Sequence, residues 1–308
     1  MALLLKRASP STDMKEMDSG HKPTSEPAVS GYYETLEKAM SERLEKGDFQ
    51  LPILPVIAAK LIGKLSHGNE DLDAIAELMQ GDQTLAGHVL RFANSVLYGG
   101  HIPAETLQEA IARVGFNVIG ELATVLTFGN NIFRSKGLQS LMDDIQEHAV
   151  LTAFLARDLG KATSGPSDQL FLCGLLHTVG KPILLQLVTT MGVMIPMRPP
   201  YDELRDIVER LHHRAGSIAC DRWNLPATVK ASCTHYNDPA QAGEQADLVR
   251  DVSQASQLAS IVQQAGTLEP ADVEAVLKTE DPQVLSQFNA LLEPCLNEAN
   301  SLIAIMQP

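Results

Sequence analysis

Nine histidines are the clearest chemical resource of this 308-residue chain. Five of them, His148, His177, His212, His213 and His235, gather between residues 148 and 235. Neutral imidazole is the commonest metal ligand among side chains, so a group of this size invites metal chemistry. Each ring taken singly also has a plainer role. His177 can be a core histidine bonded to a backbone carbonyl or to Thr178, and His213 can face solvent. Cys220 with Cys233-Thr234-His235 has two thiols and an imidazole, but at a spacing unlike the regular pairs of structural zinc sites. Cys173 sits in an apolar run, where a small hydrophobe belongs. The chain carries no Gly-rich phosphate loop, no Ser-His-Asp order and no kinase signature.

Helices must position these residues, because strict alternation over strand length is absent. Residues 1–30 are polar, carry Pro10, Gly20, Pro23 and Pro27, and read as a disordered tail. Three-four spacing begins at Tyr33 and runs through Leu36, Met40 and Leu44 to a stop near Gly47. Pro55 suits the first turn of a helix ending near Ser66. Asn69 or Asp71 caps a helix over 72–79, and Asp82 opens another. Further helices are expected from Pro103 to Val114 and around 118–126. In the second half they are expected at 138–159 (stopped by Gly160), 167–177, 179–191, 201–213, 214–223 and 226–236. The tail is helical over 247–264 and 281–306. The chain thus divides into an N-terminal helical half, 31–135, a second helical half, 136–265, and C-terminal helices, 266–308.

Several local motifs occur in a fixed order. Leu51-Pro52-Ile53-Leu54-Pro55 resembles the L-P-x-L-P that opens the HDOD family. Asp82-Gln83-Thr84-Leu85, followed by Ala93-Asn94-Ser95-Val96-Leu97-Tyr98, resembles its D-P-x-L and A-N-S-x-x-Y. Ala110-Ile111-Ala112-Arg113-Val114-Gly115 resembles the A-I-x-x-L-G that comes next. Gly174-Leu175-Leu176-His177-Thr178-Val179-Gly180 resembles the G-L-L-H-D-I-G of HD metal phosphohydrolases, the superfamily to which HDOD proteins are related. Gln146-Glu147-His148-Ala149 resembles the first His-bearing helix of that superfamily. His212, with Gly216 and Trp223-Asn224-Leu225-Pro226, resembles the H-x-x-x-G and W-x-L-P element. His235-Tyr236 stands where relatives pair two histidines, and Ala255-Ser256-Gln257-Leu258-Ala259 resembles A-D-x-L-A. The matches run from Leu51 to Ala259.

The resemblance implies an all-α fold: a multi-helix HD-like bundle packed against an N-terminal helical subdomain. It also implies a site at His148, His177, Thr178, His212, His235 and Ser256, where HD enzymes hold a divalent metal that activates water against a phosphoester. The departures empty that site of charge. Thr178 and Ser256 replace the two aspartates, and neutral hydroxyls are poor ligands for a hard divalent cation. The expectation is therefore a vestigial site with no catalytic residue, no resident cofactor, and at most weak divalent binding through the remaining imidazoles. The family resemblance implies relay of bacterial signals through protein contacts, with Asn94 and Ser95 as a candidate partner surface. Two other functions compete: a metal-dependent phosphohydrolase acting on nucleotides or other phosphoesters, and a nucleotide sensor that does not hydrolyse.

Bulk properties narrow the partners. The formal charge is −14, from 38 acidic and 24 basic residues. Without a Lys/Arg-rich run, such a chain repels a phosphate backbone and an anionic membrane. Protein partners stay open, and the acidic helical surface permits a homodimer. Four widely spaced cysteines with no C-x-x-C pair suit a reducing compartment. The N-terminus lacks a secretory h-region, and no apolar run looks long enough to span a membrane. A cytoplasmic address follows as the expectation.

Overall fold

A chain rich in Leu and Ala and poor in aromatics (5%) packs by interlocking aliphatic ridges, which favours helix on helix. The computed structural model describes residues 26–67, 77, 79–132, 137–191 and 201–306. Among these are thirteen α-helices, one 3-10 turn and no strand. The N-terminal half holds α1 (Glu26–Lys46), α2 (Val56–His67), α3 (Gln83–Ala93), α4 (Leu107–Val114) and α5 (Phe116–Ile132). The second half holds α6 (Gln139–Thr163), α7 (Ser167–Leu176), α8 (Gly180–Thr190), α9 (Asp202–Arg222), α10 (Ala227–His235) and α11 (Ala246–Ala265). Two C-terminal helices follow, α12 (Pro270–Leu277) and α13 (Pro282–Met306). Nearly all the buried apolar residues form one continuous cluster across these groups, from Tyr33 to Leu302.

Three expectations need correction. Helix α1 begins at Glu26, so residues 26–30 are helical and do not belong to a tail. Gly160 does not stop α6, which runs on to Thr163 and turns at Ser164 with φ 58°. A Cβ at Gly160 would lie 2.7 Å from Leu170 Cδ1 and 3.1 Å from Ser167 Cα, so this glycine serves a close crossing of α6 and α7. The expected break at 213/214 is absent too, and α9 is continuous through Gly216. The rest of the 1–30 tail and the helix over 72–79, apart from residues 77 and 79, lie outside the described residues. The stretch Ser167–Thr190 is in fact long and apolar enough to cross a membrane, yet 89% of its most apolar 18-residue window is buried inside the bundle.

The two halves are pinned together at the end of α9. Trp223 Nε1 donates to Pro52 O at 3.0 Å, which joins the W-x-L-P element to the L-P-x-L-P segment. Beside it, Arg222 donates to Gly47 O (2.6 Å) and Phe49 O (3.1 Å) and stacks over the Phe49 ring at 4.8 Å. Asn224 then takes φ 53°, a left-handed turn that asparagine tolerates, and Pro226 precedes α10.

A second junction lies in the core. Arg157 on α6 is 4% exposed and meets three carboxylates: Glu121 of α5 at 2.8 Å, its neighbour Asp158 at 2.8 Å, and Glu298 of α13 at 2.6 Å. Tyr98, from the A-N-S-x-x-Y stretch, donates its hydroxyl to Glu298. Burial pushes the Glu121 carboxyl up to about 7 against the pull of Arg157. One guanidinium thus ties both halves to the last helix.

Candidate functional site

Helices α6, α8, α9 and α11 enclose a cleft of about 790 Å³, whose lining includes His148, Thr178, Tyr236 and Ser256. Each position follows from local chain logic. His148 lies mid-way along α6. His177 ends α7, where a tight turn (Val179 N to Leu176 O 2.9 Å, Lys181 N to Thr178 O 2.9 Å) hands the chain to α8. Gly180 begins α8 pressed on α9, where a Cβ would overlap the His212 carbonyl and sit 2.7 Å from Gly216 N. Only glycine permits that approach, and it sets His212 against the turn that carries His177. Tyr236 follows α10, and Ser256 stands on α11.

Hydrogen bonds fix the protons. His177 Nδ1 faces Gly174 O at 2.6 Å and must carry a hydrogen, so its Nε2 is a bare acceptor. That nitrogen lies 3.2 Å from Ser256 Oγ, which donates to it. Ser256 has one proton and also stands 3.0 Å from His148 Nε2; because His148 Nδ1 donates to Gln263 Oε1 at 3.1 Å, that Nε2 is bare too, and the two rings share the serine proton. His212 repeats the pattern. Its Nδ1 faces Glu209 O (2.9 Å) and Val208 O (3.2 Å), and its Nε2 receives the Tyr236 hydroxyl at 3.0 Å. The imidazole lone pairs that turn inward therefore meet hydroxyl protons from Ser256 and Tyr236. Thr178 is 2% exposed and lines the cleft, yet its hydroxyl has no hydrogen-bond partner among the described residues.

Burial depresses all three rings. It holds His148 down to about 4 and His212 down to about 3, and takes His177 well below its ordinary value. Lys181 next lowers His148, His213 next lowers His212, and His148 itself next lowers His177. The rings are neutral when folded and titrate near 6.5 when unfolded. Between those values the unfolded chain binds more protons, so stability is present above pH 6.5 and is lost as pH falls toward 3. Glu121, raised to about 7, and Asp251, raised by burial to about 6, oppose this with the reverse sign. Three histidines outweigh two carboxyls, so urea midpoints are expected to fall from pH 6.5 to 4.5. In His177→Gln the fall should be shallower, because one proton leaves the balance. A slope unchanged by that substitution would show that His177 is charged in the folded state.

The residues singled out in the sequence divide into three groups. His148, His177, Thr178, His212 and Ser256 come together around the cleft. His235 does not join them: it is half-buried at the end of α10, its ring makes no hydrogen bond among the described residues, and its neighbour Tyr236 faces the group. Asn94 and Ser95 are elsewhere. Asn94 bonds both ways with Ala104 (2.9 and 2.7 Å) and receives Arg113 at 2.8 Å, while Ser95 Oγ is buried without a partner among the described residues. His213 is not simply solvent-facing: it bonds Cys233 O at 2.9 Å and Asn237 at 2.9 Å. Sequence inspection missed Gln263, 3.1 Å from His148 Nδ1, and the Lys181–Glu209 ion pair at the cleft. The signal for Gln263 was its helical spacing from Ser256 and Ser260, which puts three polar side chains on one face of α11.

Residues 51–239, more than half of the chain, match the family model of the HDOD domain. The chain belongs to the HDOD family. Solved structures agree on the fold of this HDOD protein. It superposes on a Shewanella amazonensis SB2B protein, provisionally named a metal-dependent phosphohydrolase, with TM-score 0.61 and 20% identity, over 90% of this chain and 100% of the other. An HDOD domain protein of unknown function from Geobacter sulfurreducens gives TM-score 0.61 and 18% identity, over 90% and 99%. A Marinobacter aquaeolei VT8 protein, provisionally named for signal transduction, gives TM-score 0.59 and 19% identity, over 91% and 66%. A Treponema pallidum (strain Nichols) protein of no assigned function is 24% identical over 205 residues, 63% of this chain. The chain spans 38% of the length of that relative.

The divalent metal of HD enzymes does not fit the donors of this HDOD cleft. Among the described residues, no three His, Cys, Asp or Glu side chains gather in a way that could hold a metal ion. The inward nitrogens of His177 and His212 already accept hydroxyl protons, and Thr178 and Ser256 supply no charge. Ser256 lies beyond the matched 51–239 segment, so its correspondence to the HD aspartate rests on its bonds to His148 and His177.

Proposed function

We propose that this HDOD protein is a non-catalytic regulatory component of bacterial signal transduction, acting in the cytoplasm through contacts with other signalling proteins. The observation that carries this reading is the pair of hydroxyl groups, Ser256 and Tyr236, that cap His177 Nε2 and His212 Nε2. A hydrolase of this lineage needs those lone pairs for metal and a nearby anion to hold a bridged hydroxide. Here the metal's positive charge is replaced by two O–H dipoles, so the cleft keeps its shape and loses its chemistry. Such reuse is ordinary, since function lives in sites and not in folds.

A contact role also suits the surface. Asn94 and Arg113 brace a loop that displays Val96 and Ile102 at 105% and 78% exposure, two apolar side chains that a protein partner could cover. A fold neighbour provisionally named for signal transduction lends support. The test is hydrolysis of nucleotides and of bis(p-nitrophenyl) phosphate with added manganese. Release at the rate of the buffer control is expected. Sustained turnover that disappears in His177→Ala would establish a phosphohydrolase instead.

A further inference from the structure

We propose that the cleft is a binding site for an uncharged polyhydroxylated small molecule, either a free sugar or the sugar of a nucleoside. This rests on the non-catalytic reading of the same cleft and gives it an input. Its volume of about 790 Å³ falls within the usual range of small-ligand sites, roughly 300–1,000 Å³. Leu185 and Val208 provide apolar wall, while Gln257, Gln264 and Ser260 provide neutral polar wall.

Charge decides against an anion. The five charged residues of the lining are Asp144, Glu147, Lys181, Arg205 and Glu209, three acids and two bases. Both bases are taken: Lys181 pairs with Glu209, and Arg205 with Asp144 at 3.2 Å. A phosphate entering here would find no free cation and an uncompensated Glu147.

The open valences decide for a hydroxyl. Thr178 lines the cleft with a hydroxyl that has neither donor nor acceptor partner among the described residues. The Tyr236 oxygen, having given its proton to His212, accepts from the Asn237 side chain and keeps one further acceptor lone pair. One group wants both a donor and an acceptor, and the other wants a donor. A ligand hydroxyl offers both roles, whereas a phosphate or carboxylate offers acceptors alone and opposes the Tyr236 lone pairs.

Calorimetric titration of the full chain with ribose, maltose, adenosine and guanosine tests this, alongside ribose 5-phosphate and adenosine 5′-monophosphate. At least one neutral compound is expected to bind at millimolar concentration or below, and more tightly than its phosphorylated counterpart. Binding of free sugars identifies a sugar ligand, and binding of nucleosides alone identifies the nucleoside. Thr178→Val keeps the shape and deletes only the hydroxyl, so affinity should fall about five- to tenfold, as loss of one hydrogen bond implies. No heat with any neutral compound, tighter binding of the phosphorylated forms, or unchanged affinity in Thr178→Val would overturn the proposal. Phosphate release from the phosphorylated compounds with manganese is followed in parallel. Failure of the neutral compounds without release defeats only this inference, whereas release defeats the non-catalytic reading as well.

Discussion

Replacing Arg157 by Ala is expected to lower the unfolding free energy by about 3–5 kcal/mol, the usual loss when one partner of a buried ion network is removed. The guanidinium is 4% exposed and is the shared partner of Glu121, Asp158 and Glu298. Without it three buried carboxyls face one another, with Lys161 reaching Asp158 as the remaining cation. Glu121, already raised to about 7 by burial, would lose the pull that lowers it and would take up a proton on folding. Arg157→Lys keeps the charge but cannot reach three carboxylates from one planar fork, so an intermediate loss is expected. Urea denaturation followed by far-UV circular dichroism measures both. A loss under about 1 kcal/mol for Arg157→Ala, the ordinary range of exposed pairs, would show that the network is hydrated and not a junction.

Gly180→Ala is expected to be at least as damaging, with a cost of about 4 kcal/mol or more, the range reserved for forced overlap in a core. The added methyl would meet the His212 carbonyl and Gly216 N, both backbone atoms that cannot rotate away. Helix α8 would have to lift from α9. That shift would separate His212 from the turn bearing His177 and open the cleft between them. Gly243→Ala is the control, because nothing lies within 4 Å of a Cβ there, although its φ of 58° adds local strain. Near-UV circular dichroism and denaturation midpoints report the outcome. A Gly180→Ala protein as stable as the Gly243→Ala control would mean the α8–α9 crossing is looser than described.

Much of this was legible in the sequence, for physical reasons that can be named. Helices punctuated by Gly-Pro, Leu-Pro or an apolar period change were found because those signals are local. The run through Gly160 and the continuous α9 were not, because a glycine that permits close helix crossing looks the same in sequence as one that ends a helix. Thr178 and Ser256 showed that charge had left the site. What replaced it, the hydroxyl protons of Ser256 and Tyr236, depends on rings and hydroxyls from four helices and had no local signature. The Arg157 network was invisible for the same reason: its carboxylates lie on α5, α6 and α13, with Tyr98 between α3 and α4.

In the cleft of this HDOD protein, hydroxyl groups stand against the inward nitrogens of His177 and His212. The decisive measurement is metal content after incubation with manganese, iron and zinc, on the wild type and on the double variant Thr178→Asp, Ser256→Asp. Near-zero metal is expected in the wild type, and a gain in the double variant, where carboxylates replace the capping hydroxyl of Ser256 and that of Thr178. One or two tightly held ions per wild-type chain, lost in His177→Ala, would contradict it.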